Sequence, residues 1–358
     1  MSAKTRAFLL ESIAAPLASV VLALAAGGVL ILIAGKNPLS VYALLFGETL
    51  GSAYGIGQML AKATPLALTG LSVAVCFRAG LFNVGAEGQM TIGGLCAAMA
   101  GLAFPHAPAW VLLPLGLAAA AAGGAATASL AGWLKSTRGV HEVITTLMTN
   151  FIAAAIAGEL MGRLAVAATV RTETLPEAAW LPRLADLLAG VGLSGLADGL
   201  RASPANAALF LAIASAAGIA FFLQRTRAGF ELRVAGASPA AAATAGVEVA
   251  RTTRLAFLIG GALAGLAGTS YVLGHKHHYE TGFAAGAGFV GIAVALLGRN
   301  HPGGVLLAAL LFGTLAHGGL VVNAEVSSEI VTVLQALVIL FLIGSLPAFQ
   351  ALARRRPA

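Results

Sequence analysis

The stretch FRAGLFNVGAEGQM, residues 77–90, places a cation, two amides and a carboxylate in apolar surroundings. Asn83, Glu87 and Gln89 offer the donors and acceptors that a hydroxyl- or amide-rich solute would need. Gly80, Gly85 and Gly88 weaken any helix through the stretch. A discontinuous helix at bilayer depth is tolerated only where its freed backbone groups line a cavity or find partners, and such breaks often build transporter sites. Two readings follow. In one, Asn83, Glu87 and Gln89 belong to a substrate pathway or gate. In the other, Arg78, Gly80, Gly85 and Gly88 form a structural hinge, with Arg78 paired to Glu87.

GVHEVITTLMTNFI, residues 139–152, raises the same question. Glu142, Thr146 and Asn150 recur every four residues, so a helix carries them as one stripe, flanked by Thr145 and Thr149. A carboxylate in or near a membrane faces a partner or a cavity. The stripe therefore reads as pathway lining or as interhelical hydrogen bonding. His275, His277 and His278, in HKHHYE, read as the polar end of a helix rather than a metal site. Cys76 and Cys96 fall in apolar segments and read as small buried hydrophobes. The chain shows no Ser-His-Asp set and no paired-carboxylate site, so no catalytic residue, metal ligand or enzymatic activity is expected. It has no G-x-x-x-x-G-K-[ST] loop, because Lys135-Ser136 lacks the glycines, so it does not bind ATP by that device.

The elements that must position these groups are membrane helices. Of 358 residues, 59% are hydrophobic and only 10% charged, against about 25% charged in a soluble domain. The expected fold is all-α and polytopic, a single transmembrane domain over 1–358 with its membrane region at 13–346. About ten spans are expected, at 13–34, 58–77, 86–104, 109–134, 142–162, 205–224, 255–274, 283–298, 303–322 and 328–346. The eighth is short and Gly-interrupted, so it reads as broken or re-entrant. The first is too long for a signal peptide and reads as a retained helix. Lys and Arg collect in alternate loops, which puts both termini in the cytoplasm, and the net charge of +7 reflects that bias rather than nucleic-acid binding. On this count 163–204 is an external loop and 225–254 a cytoplasmic one. Within the latter, Ser238-Pro239 is a helix start, the following alanines are strong helix formers, and Gly246 is a C-terminal stop. The G-x-x-x-G pairs Gly261–Gly265 and Gly282–Gly286 read as close helix packing.

FRAGLFNVGAEGQM, GVHEVITTLMTNFI and ELRVAGASPAAAATAG (231–246) together resemble the permease subunits of bacterial ABC importers of the branched-chain amino acid and simple-sugar class. The nucleoside type, which works with a basic-membrane-protein-like lipoprotein, is the best match. GFVGIAVALLGRNHPGG, 288–304, extends a resemblance that runs from about 58 to 345. It implies that 229–246 is the element engaging the ATPase, with Arg233, Gly236, Ala241, Ala242, Ala245 and Gly246 at the family positions; Val234 departs from the usual alanine. Small side chains let such a helix seat in a partner's groove. The resemblance further implies a second permease subunit, the same or homologous, two cytoplasmic ATPase subunits that use ATP and Mg, and an external substrate-binding lipoprotein or periplasmic protein. It implies the bacterial inner membrane, no cofactor in this chain, and a nucleoside, nucleobase or simple sugar as substrate. The rival reading is an energy-independent secondary transporter or channel for a small polar solute.

Overall fold

The structure, a computed structural model, describes residues 15–354; its secondary structure is helical, and among the described residues strand pairing is limited to isolated bridges. The helices are α1 (Ala15–Ile33), α2 (Pro38–Leu50), α3 (Ala53–Arg78), α4 (Ala86–Ala103), α5 (Ala109–Arg138), α6 (Glu142–Leu164), α7 (Leu184–Gly190), α8 (Ser194–Leu200), α9 (Ala208–Arg225), α10 (Arg227–Ala237), α11 (Pro239–Thr244), α12 (Val249–Ala267), α13 (Thr269–Val272), α14 (Ala287–Leu297), α15 (Pro302–Val321) and α16 (Ser328–Arg354). Each of the ten expected spans coincides with one of these, or with the α12–α13 pair. The start of the first expected span, 13–14, lies outside the described residues. Six helices among the described residues are long and apolar enough to cross a membrane singly, while α14 is short, as its sequence suggests.

α2 is an addition to the expected set. It folds back from α1 with a 120° bend, so the pair is one broken or re-entrant apolar segment. The turn residues explain it: Asn37 accepts from the Leu39 N–H at 3.0 Å and Pro38 opens the helix.

The chain forms two compact units, one holding the residues up to Met59 and from Leu311, the other Leu60–Leu310. In the first, α1 packs on α16. In the second, α4, α5 and α12 pack on one another through backbone rather than bulk. A Cβ at Gly124 would collide with the Gly261 carbonyl, one at Gly265 with the Ala120 carbonyl, and one at Gly93 with Gly265. The Gly261–Gly265 pair thus packs helices within this chain, as small residues do in membranes. Gly282 and Gly286 do not: both lie in the loop before α14 with φ of +80° and +84°, and they serve a left-handed backbone instead.

The loop 163–206 is laced to 273–281. Thr172 N–H donates to the Tyr279 carbonyl, Leu175 N–H to that of His277 and Leu181 N–H to that of Leu273. Trp180 stacks on the His277 ring with centroids 3.9 Å apart. Tyr279 is fully buried beneath this lacing.

Candidate functional site

The two polar stretches singled out in the sequence form a single structure. After α3 the chain turns at Gly80, whose φ of +72° is left-handed, runs non-helically to Gly85, and re-enters helix at Ala86. The start of α6 supplies the partners that this open backbone lacks. Asn150 Nδ2 donates to the Val84 carbonyl and its Oδ1 accepts from the Gly88 N–H, both near 3 Å. Thr146 Oγ1 accepts from the Val84 N–H and donates to the Glu142 carbonyl. Asn83 and Gln89 are fully buried and joined amide to amide: Asn83 Nδ2 donates to Gln89 Oε1, and Gln89 Nε2 donates to Asn83 Oδ1. Asn83 also reaches the Gly85 N–H and Ser72 Oγ, a partner the sequence reading did not pick out.

Glu87 does not pair with Arg78. Its carboxylate accepts from the Gly286 and Gly288 N–H groups at 2.8 and 2.7 Å, at the N-terminus of α14. A helix N-terminus carries unsatisfied N–H groups and partial positive charge, so it competes well for a carboxylate. Arg78 instead donates from Nε to the Asn300 carbonyl at 2.9 Å, in the turn between α14 and α15. Arg233 and Arg299 add positive charge around it.

Of the remaining stripe, Glu142 is ion-paired to Lys135 at 2.8 Å across the turn from α5 to α6. Thr145 donates to the His141 carbonyl and Thr149 to the Thr146 carbonyl. The glycines act by closeness as well as flexibility. A Cβ on Gly88 would press on Asn150 and Ala153, and one on Gly85 on Gln89 and Thr146.

The segment 227–246 is two helices: the short one expected from Ser238 to Gly246 is α11, and α10 precedes it. Thr226 caps α10 by accepting from the Gly229 N–H. The expected start and stop of α11 are present: Ser238 accepts from the Ala241 N–H, and Gly246 has φ +80°. Ala242 is buried, whereas Ala241, Ala243, Thr244, Ala245 and Gly246 are exposed. Arg233 is exposed and lies over the Phe230 ring. Gly236 faces inward: a Cβ there would collide with the Arg78 carbonyl and crowd Ala79 and Gly80. α10 therefore seats on the turn that opens the non-helical stretch. The sequence offered one sign of this, a glycine in a helix beside a glycine turn.

Residues 55–343 match the family described as branched-chain amino acid transport system / permease component. The chain belongs to that family. It is 37% identical over 339 residues to the guanosine ABC transporter permease protein NupP of Bacillus subtilis, covering 94% of each chain. It is 37% identical over 336 residues to the glucose ABC transporter permease protein TsgB13 of Haloferax volcanii, covering 92% of this chain and 87% of that one. More distantly it resembles a second Bacillus subtilis protein, the guanosine ABC transporter permease protein NupQ, at 29% over 262 residues, 71% of this chain and 78% of the other. The permease is thus an ABC transporter permease subunit that crosses the membrane several times, and these likenesses favour that reading over a free-standing transporter or channel.

Proposed function

We propose that this permease forms the translocation path of an ATP-driven nucleoside importer of a bacterial inner membrane. In this reading it pairs with a second, homologous permease chain, as the two guanosine permease proteins of one Bacillus species suggest. Two cytoplasmic ATPase subunits, using ATP and Mg, engage α10–α11, and an external binding protein delivers the solute. The chain itself binds no cofactor and performs no hydrolysis.

The observation that carries the reading is the seat of Gly236 on Arg78–Gly80. The exposed small residues of α11 and the turn that ends it, Ala241, Ala245 and Gly246, fit a groove in the ATPase, and Ala242 anchors the helix to this chain. Movement there passes through α10 to the turn at Gly80. That turn opens the non-helical stretch held by Thr146 and Asn150, and the stretch leads into Glu87, which holds α14. Asn83, Glu87, Gln89, Glu142, Thr145, Thr146 and Asn150 thus act as a gate whose polar groups brace one arrangement of the backbone and exchange partners in the other. Packed elements of this kind switch between discrete states rather than deform smoothly. Convergence of Arg78, Arg233 and Arg299 at one end of the helices agrees with a cytoplasmic face there.

The test is uptake. Cells lacking their own nucleoside and glucose importers, given this permease with its genomic partners, should accumulate radiolabelled guanosine in an ATP-dependent way and leave glucose outside. Glucose uptake without guanosine uptake would overturn the nucleoside assignment and favour the simple-sugar reading.

A further inference from the structure

A second group of polar side chains sits in the unit made of α1, α2, the start of α3, the end of α15 and α16, apart from the gate. A cavity of about 380 Å³ is lined by Glu48, Tyr54, Gln58, His317, Leu320 and Val321. That size suits a small organic molecule. All three elements that build it are apolar and of membrane type, where a carboxylate, an amide and an imidazole are costly and mark function by default.

The local fold assembles the group deliberately. α2 ends in a tight turn in which the Gly51 N–H returns to the Gly47 carbonyl and Ser52 Oγ accepts from the Gly55 N–H. Gly55 is pressed on the Glu48 and Thr49 carbonyls so closely that a Cβ would collide with them. This brings Glu48, in the last turn of α2, beside Tyr54 and Gln58, one turn apart on α3. Gln58 Nε2 donates to Tyr54 Oη at 2.9 Å. The phenol proton is therefore free to donate outward, and Gln58 keeps one N–H and its carbonyl for a ligand. His317 of α15, only 8% exposed, meets the Tyr54 ring edge-on, with centroids 6.2 Å apart and planes at 76°. That contact fixes the ring and leaves much of its surface open, since Tyr54 is 45% exposed.

We propose that this cavity is a nucleobase subsite of the permease, with Tyr54 as the stacking platform and Glu48 and Gln58 reading the base edge; the proposal rests on the nucleoside-importer reading above. A planar base stacks on an aromatic ring, as nucleic-acid proteins exploit. A carboxylate accepts only, so Glu48 selects an edge that shows adjacent N–H groups, as the guanine edge does. Gln58, with its remaining N–H, then supplies a donor to its carbonyl. A hexose offers C–H groups and hydroxyls where a nucleobase offers a π face and an N–H edge, so the competition between guanosine and glucose reads which of the two the site takes.

The whole transporter in membrane vesicles, with its ATPase and receptor, is photolabelled with tritiated 8-azidoguanosine and the labelled peptides are sequenced. Label is expected on peptides containing 48–58 or 317–321, removed by excess guanosine and not by glucose. Tyr54→Ala and Glu48→Gln should each reduce that labelling about 10- to 100-fold at a subsaturating probe concentration, the range for losing a charge-assisted hydrogen bond or a stacked base. Tyr54→Phe should keep more than Tyr54→Ala. Guanosine transport with label confined to other peptides overturns the subsite and leaves the importer reading intact. Absence of guanosine transport in the wild type overturns both.

Discussion

At the residue scale, the polar side chains of 77–90 and 142–150 are engaged with backbone and side chains of this same chain. Asn150 holds both the Val84 carbonyl and the Gly88 N–H. Asn150→Leu leaves both without partners, and each such orphan costs about 1–3 kcal/mol. The variant should melt several degrees lower in detergent, and Asn150→Asp, which keeps the acceptor, should fall between it and the wild type; scanning fluorimetry decides. Tyr279 is the opposite case. Its hydroxyl is buried without a hydrogen-bond partner, and burial pushes its pKa up to about 12. Tyr279→Phe should therefore melt at or above the wild-type temperature. His277 sits against Trp180, with its pKa lowered chiefly by burial; the hydrogen bond to the Leu273 carbonyl opposes this, and the charges of Arg183 and His278 add smaller lowering effects. His275 and His278 shift the same way, also mainly by burial. The unfolded chain therefore takes up these protons first as pH falls. The stability they contribute is complete above about pH 6.5 and is lost as pH drops toward the folded-state pKa values. Melting temperature should decline from pH 7.5 to 5.5, and less steeply in His277→Gln. The sequence made the residue types legible here but not their partners. The nearest Lys or Arg to Glu87 in sequence is Arg78, nine residues away, and only the fold brings Glu87 instead to the α14 N-terminus 199 residues away.

At the scale of elements, the sequence was a good guide where apolar runs were long. All the expected spans correspond to helices because twenty apolar residues have few alternatives in a bilayer. α2 was not legible, because PLSVYALLFGETL is short and follows a Lys-Asn-Pro turn that reads as a connection. α11 was legible from its Ser238-Pro239 start, whereas α10 was not, because Thr226 caps it without a following proline. Gly282–Gly286 misled because a small-residue spacing carries no information on φ. The element-scale prediction concerns α14. Glu87→Gln removes the charge from its N-terminus while keeping an acceptor. Hydrogen exchange at Gly286 and Gly288 should quicken by about tenfold, the scale of a partly buried charge–dipole contact, with exchange in α5 unchanged. Equal exchange in both proteins would show that the carboxylate does not hold α14.

At the scale of the whole molecule, the proposed function couples the exposed helix α11, through α10, to the buried polar groups that follow Gly80. Gly236 is unsuited to testing partner contact, since any side chain there strikes Arg78–Gly80 of the same chain. Gly236→Val should instead loosen α10 from the turn: the ATPase should still associate, while uptake falls. Ala241 is the better probe of docking, being exposed on α11 with its side chain outside the internal packing. The most direct measurement is therefore co-purification of the permease with its genomically adjacent ATPase, wild type against Ala241→Arg, with monodispersity in detergent as the control for folding. The account predicts that the wild type retains the ATPase and that Ala241→Arg loses it while remaining monodisperse. Retention of the ATPase and of full ATP-driven uptake by Ala241→Arg would contradict the assignment of α10–α11 as the coupling element.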